Sequence, residues 1–180
     1  KFLRLDLELR CPFVEKLSTG DSALLLGGGS GMAVEKLGSG ARGPIVELDP
    51  TVTAFSEKYF GLDAKKYEII TDDARHAVKI FALQNKKFDL VIMDVIQDTT
   101  IPPYIMSKEA FFELSLVVKQ GGLLIIHGGI APEKPLANDR YLGAILKTAE
   151  KEFPFGVATR MDSNNSRNIG SITSGQPWRI

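Results

Sequence analysis

Short apolar runs alternating with longer amphipathic stretches, a glycine cluster directly behind the first such run, and carboxylates at the ends of several others predict an α/β fold built on a mostly parallel sheet. Strands covered on both faces read as continuous apolar runs, and helices above and below the sheet complete a three-layer sandwich. Two weak extended segments near the carboxyl end add an expected antiparallel hairpin.

Ala23-Leu24-Leu25-Leu26 is the first strand, stopped by Gly27 to Gly31. Met32 to Leu37 is expected as a short helix ended by Gly38-Ser39-Gly40, before a second strand at Pro44 to Leu48. Asp49-Pro50 opens the next helix, with proline at its first position. Val52, Phe55, Tyr59 and Phe60 share one face of it until Gly61. Tyr67 to Thr71 forms the third strand and Ala74 to Leu83 the next helix, and Phe88 to Met93 is a strand running into Asp94. A loop with Ile101-Pro102-Pro103 leads to a helix from Lys108 to Val118, then a Gly121-Gly122 turn and a strand from Leu123 to His127. A last helix spans Asn138 to Glu152, and segments near 156–161 and 169–173 form the hairpin around the polar stretch 162–168. This is a Rossmann-like, doubly wound arrangement. Residues 1–21 form an N-terminal edge segment, either a strand and helix on the sheet edge or the remnant of a larger N-terminal region; 22–174 form the domain and 175–180 a tail.

Among 180 residues, 22 Lys+Arg balance 22 Asp+Glu, so no net field draws the chain to nucleic-acid phosphates or an acidic membrane face. The apolar runs are far shorter than the roughly 20 residues a membrane helix needs. One cysteine, Cys11, excludes an internal disulfide framework and a CxxC metal cluster, and with only His76 and His127 no metal site is expected. The chain begins at Lys1 without a charged-then-apolar leader, so a processed or trimmed chain is expected. A cytoplasmic location goes with it unless a targeting segment was removed.

Ligands of open parallel sheets bind beyond the carboxyl ends of the strands, so the residues there carry the chemistry. Gly27, Gly28, Gly29 and Gly31 form a G-x-G-x-G turn, with Met32 where a dinucleotide fingerprint would place its third glycine. The turn suits a nucleoside ligand without a pyrophosphate, or serves only as a tight strand-to-helix connection. Glu47, twenty positions after Gly27, can accept two hydrogen bonds from a ribose diol, with Leu48 beside it and Asp49 as a helix cap. Asp73, followed by Ala74, is placed to accept from an adenine amino group or to cap its helix, and Asp72 is solvated or capping. An apolar strand delivering Asp94 to an open edge incurs desolvation, which a cationic partner would offset. Asp98 is a candidate for cationic substrate or a surface acid. Tyr104 belongs to a lid or to loop packing. His127 lines the substrate mouth as donor or base, or is a hydrogen-bonded structural residue.

Together these residues resemble the class I S-adenosylmethionine-dependent methyltransferase fold, and more narrowly its spermidine synthase-like branch, over Ser22 to Ile130. Leu24 to Gly31 looks like the first motif of that branch, Val46-Glu47-Leu48-Asp49-Pro50 like its ribose-binding motif, Asp72 to Arg75 like the adenine segment, and Phe88 to Asp94 like the motif ending in its key aspartate. The stretch Ile101 to Phe111 resembles the loop and helix that follow. The resemblance implies S-adenosylmethionine or decarboxylated S-adenosylmethionine as cofactor, contacted by Gly27, Gly28, Gly29, Gly31, Glu47, Leu48, Asp73, Ala74 and Asp94. Asp94 is then the catalytic residue, and Asp98, Tyr104 and His127 face the substrate. Aminopropyltransferases carry Asp where Ser30 stands and a D-[ST]-[ST]-D-P run where this chain has Asp94-Val95-Ile96-Gln97-Asp98. These departures make methyl transfer to an unidentified acceptor, a protein amine or a small amine, the expected function. Aminopropyl transfer and a catalytically silent scaffold are the alternatives, and a homodimer without nucleic-acid or membrane partners is the expected state.

Overall fold

The computed structural model describes residues 2–5, 20–29, 42–97, 101–127 and 140–158. Among them seven strands form one sheet: β1 (Phe2–Leu5), β2 (Ala23–Leu26), β3 (Ile45–Glu47), β4 (Ile69–Thr71), β5 (Phe88–Met93), β6 (Val118–Ile126) and β7 (Phe155–Ala158). Their order is β4-β3-β2-β5-β6-β1-β7, and every pairing is parallel. The helices are α1 (Pro50–Tyr59), α2 (Ala74–Leu83), α3 (Lys108–Val117) and α4 (Arg140–Ala149), with a single 3-10 turn at Pro103–Met106.

Alternate side chains of the central strands enter two separate cores, as the two-residue period of a strand requires. On one face Leu24, Leu26, Val91, Met93, Leu124 and Ile126 pack with Val78 and Phe81 of α2, Phe111 and Leu114 of α3, and Ile145 of α4. On the other, Leu25, Ile45, Leu90, Ile92 and Ile125 pack with Leu62 and Tyr67. Each such fully buried side chain contributes roughly 1.5–3 kcal/mol. The doubly wound, Rossmann-like sheet is therefore the observed architecture.

Three expectations change. The antiparallel hairpin is not shown among the described residues: Phe155–Ala158 pairs in parallel with β1, and the second segment lies outside them. The N-terminal strand is not at the edge, because β6 and β7 hydrogen-bond to its two sides. The expected apolar face of α1 is outward, with Phe55, Tyr59 and Phe60 each more than half exposed. That helix instead turns Ser56 inward, where its hydroxyl donates to the carbonyls of Gly29 and Val52, so a polar contact sets its rotation. The expected helix over 32–37 lies outside the described residues.

From β2 the chain winds outward through β3 to β4, then returns to β5 on the opposite side of β2. The crevice of such a sheet opens at this reversal, above the carboxyl ends of β2 and β5. Gly27 and Asp94 are the residues immediately beyond those two ends.

Candidate active site

The two strand ends approach too closely for a side chain between them. Gly27 has φ +86°, and a Cβ placed on it would lie 2.2 Å from the Asp94 carbonyl oxygen. Its amide donates to the Val46 carbonyl at 2.9 Å, and the Asp94 amide to that of Leu26 at 2.8 Å, so both backbones are fixed. Gly28 is buried, and a Cβ there would meet Ile45 Cγ2 at 2.8 Å, which gives it a packing role. Gly29 (φ +46°) has open space at its Cβ position, and its backbone is accessible from the crevice. Gly31 lies outside the described residues.

Glu47 closes this turn from β3. Its Oε2 accepts from the Gly29 amide at 2.9 Å and its Oε1 from the Asp49 amide at 3.0 Å. Each oxygen keeps a lone pair, enough for a vicinal diol. Leu48 is exposed beside it. Asp49 caps α1 by accepting from the Thr51 amide at 2.7 Å, and this bond holds its carboxyl below the usual carboxylate range.

At the end of β4, Asp73 caps α2 through the His76 amide at 2.9 Å and accepts the Tyr104 hydroxyl at 2.6 Å. Burial alone would raise the Asp73 carboxyl, but bonds from Tyr104, His76 and Arg75 outweigh it and the net direction is down. The same bond pushes the Tyr104 phenol up to about 12. Tyr104 rides on the 3-10 turn, which Arg75 grips from below. The guanidinium donates to the Tyr104 carbonyl at 3.0 Å and pairs with both oxygens of Glu113, at 2.6 and 3.0 Å. Glu113 raises Arg75 above its ordinary value.

Asp94 stands at the switch point with its side chain about one-third exposed. His127, just past β6, places Nδ1 2.6 Å from Asp94 Oδ1, while its backbone amide donates to the Met93 carbonyl.

One cleft of about 520 Å³ gathers Gly27, Gly29, Glu47, Leu48, Asp73, Ala74, Asp94 and Tyr104, all singled out from the sequence. Asp49, Asp72 and the Val95-Ile96-Gln97 segment also line it. Five carboxylates and no basic side chain therefore face this space among the described residues. His127 is not among the described residues that line this cleft; its ring meets Asp94, which does line it, and the expected place of His127 at the substrate mouth stays an expectation. Asp98 lies outside the described residues. Sequence reasoning missed four side-chain pairings around the cleft: Tyr104 with Asp73, Arg75 with Glu113, His76 with Asp72, and His127 with Asp94. The last two had a signal, His76 lying four residues after Asp72 and His127 and Asp94 following strands consecutive in the chain. Among the described residues no group of three or more His, Cys, Asp and Glu is placed to hold a metal ion, and no helix is long and apolar enough to cross a membrane.

A doubly wound parallel sheet with a glycine turn and several carboxylates at its strand ends defines the class of open α/β proteins whose cleft lies beyond the carboxyl ends of the strands. Residues 14–161 match the profile of the spermine/spermidine synthase domain, and the chain belongs to that family. It is 31% identical over 102 residues to a polyamine aminopropyltransferase of Vibrio vulnificus, a match covering 56% of this chain and 34% of that relative. A polyamine aminopropyltransferase of Desulforudis audaxviator is 30% identical over 139 residues, covering 73% and 48%. The chain thus spans less than half the length of either relative. A spermidine synthase solved with the transition-state analogue AdoDATO superposes with TM-score 0.60 at 20% identity, covering 79% of this chain and 52% of that one. Solved methyltransferases share the same fold, so this likeness speaks for the fold alone. The sequence relatives overturn the expected methyl transfer: they are transferases of the aminopropyl kind by name. Ser30 and Gln97 stand where aminopropyltransferases carry acids, whereas the cleft collects its acids from several strand ends.

Proposed function

We propose that this cleft binds decarboxylated S-adenosylmethionine and passes its aminopropyl group to a small amine. The observation that carries the reading is the lining of five carboxylates with no basic side chain among the described residues, because cofactor and acceptor are both cationic. The match to the spermine/spermidine synthase domain and the names of the sequence relatives support it.

The residues present fit such a cofactor. The open Cβ position of Gly29 leaves backbone room for it, and the free lone pairs of Glu47 suit ribose hydroxyls. Asp73 keeps acceptor capacity for an adenine amino group beside the Tyr104 bond. When bound, the cofactor would supply a methylene carbon made electrophilic by its sulfonium, the C–S electron pair leaving on sulfur. Asp94 orients the acceptor and takes one proton from its ammonium form, freeing the nitrogen lone pair that makes the new C–N bond; the product leaves as a secondary ammonium. Val95 and Ile96 give the cleft an apolar wall that displaces water from the reacting nitrogen. Positioning and desolvation carry most of the rate.

Calorimetric titration tests the reading at the binding step. The decarboxylated cofactor and 5′-methylthioadenosine are expected to bind, and the decarboxylated form to bind more tightly than S-adenosylmethionine, whose extra carboxylate meets the acidic lining. Equal or inverted affinities would overturn the assignment.

A further inference from the structure

Asp94 has a fixed backbone and a side chain whose direction is set elsewhere. Its amide is bonded to Leu26, and its carbonyl lies against Gly27 where even a methyl group would clash. Neither contact determines where the carboxylate points. Among the described residues the side-chain hydrogen bond to that carboxylate comes from His127. The imidazole is held in register by the parallel pairing of β5 and β6, with Met93 opposite Ile126 and the His127 amide bonded to the Met93 carbonyl. The two strands thus present an aspartate and a histidine side by side, and of the two it is the aspartate that lines the cleft among the described residues.

We propose that His127 is the positioning residue of Asp94: its Nδ1–H holds Oδ1 and leaves the other carboxylate oxygen directed to the amine in the cleft. An ionised carboxylate only accepts, so a 2.6 Å contact requires the proton on Nδ1. Fixing the rotamer in advance removes the entropy of ordering the carboxylate when the acceptor arrives, and a charge-assisted bond of this length is strong enough to do so. The role of this pair in turnover rests on the aminopropyl-transfer reading; the pairing itself does not.

The test has two arms on the full chain. In the first, ¹⁵N-histidine spectra are recorded without ligand at a pH where imidazole is neutral. With only His76 and His127 present, a His76→Gln variant assigns the signals. His127 is expected as the Nδ1–H tautomer, shifting toward Nε2–H in Asp94→Ala; an Nε2–H tautomer in the parent overturns the proposal. In the second arm, kcat and the cofactor KM are compared using decarboxylated S-adenosylmethionine and putrescine. His127→Ala is expected to lower kcat about tenfold or more with KM within about threefold, in line with other groups that orient a functional ligand. His127→Asn, whose amide N–H sits where Nδ1–H was, is expected to recover to within about threefold of the parent. Parental kcat in the alanine variant, or no recovery in the asparagine variant, overturns the positioning role. A parent that makes no polyamine fails the proposed reaction instead, while the tautomer still decides the pairing.

Discussion

The Tyr104 hydroxyl donates to Asp73 Oδ2 at 2.6 Å, tying the turn that overhangs the cleft to the N-terminus of α2. Both groups titrate accordingly. The phenol, raised from 10.0 to about 12 by the Asp73 bond, contributes stability that is complete below pH 10 and is lost as pH rises through about 12. Asp73 is lowered, so its contribution is present above its ordinary value near 3.8 and is lost as pH falls through the folded value. Ultraviolet titration of the chain's four tyrosines is expected to show one phenol near pH 12 that vanishes in Tyr104→Phe and moves down in Asp73→Asn. A parent-minus-variant transition centred near 10 would contradict the bond.

The fork between Arg75 and Glu113 joins α2 to α3, with the two side chains 21% and 17% exposed. At that burial a double-mutant cycle with Arg75→Met and Glu113→Gln is expected to return a coupling of about 1.5–3 kcal/mol, above the roughly 0.2–1 kcal/mol of exposed pairs. Denaturant melts of the four proteins check it. A coupling within 0.3 kcal/mol of zero, on the order of the scatter between independent sites, would show that Arg75 does not brace the turn carrying Tyr104.

Much of this arrangement was legible because local rules and burial agreed. Ala23 to Leu26 reads as a central strand since both faces are covered, and Asp49-Pro50 reads as a helix start since the cap and the fixed φ of proline suit that place. The outward face of α1 was not legible. Periodicity tells that Phe55 and Tyr59 share a face, and they do stack at 5.5 Å, but not that the Ser56 bonds turn that face to solvent. Phe2 to Leu5 gave no local sign of sitting between β6 and β7, because that pairing joins segments more than a hundred residues apart. At the site, Gly27, Glu47, Asp73 and Asp94 were readable as strand-end residues. The reaction was not legible, because Ser30 and the Asp94-to-Asp98 run depart from the local motifs of aminopropyltransferases, while the acids that line the cleft come from several strand ends.

The glycine turn divides into two kinds of position. Gly27→Ala drives a Cβ against the Asp94 backbone at positive φ, and is expected to cost more than about 3 kcal/mol or to prevent folding. Gly29→Ala meets no atom within 4 Å and carries only the left-handed cost of about 1–2 kcal/mol. Chemical denaturation ranks the two, and equal losses would contradict the close approach of β2 and β5.

Glu47→Gln tests the carboxylate proposed to accept the ribose diol. Both oxygens accept from backbone amides, so the variant's NH2 must face a donor at Gly29 or Asp49. A stability loss of about 1–3 kcal/mol and at least tenfold weaker 5′-methylthioadenosine binding are expected. Unchanged nucleoside affinity by calorimetry would remove Glu47 from the cofactor site.

Aminopropyl transfer in the acidic cleft, with Asp94 against the amine, is tested by incubating the chain and its Asp94→Asn variant with decarboxylated S-adenosylmethionine and putrescine, and quantifying 5′-methylthioadenosine and the new polyamine by mass spectrometry. The two products are expected in equal amounts from the parent, with a rate lower by about 10²–10⁴ in the variant, the range of a positioned acid–base group. Failure of the parent to form 5′-methylthioadenosine, or undiminished turnover by Asp94→Asn, would contradict it.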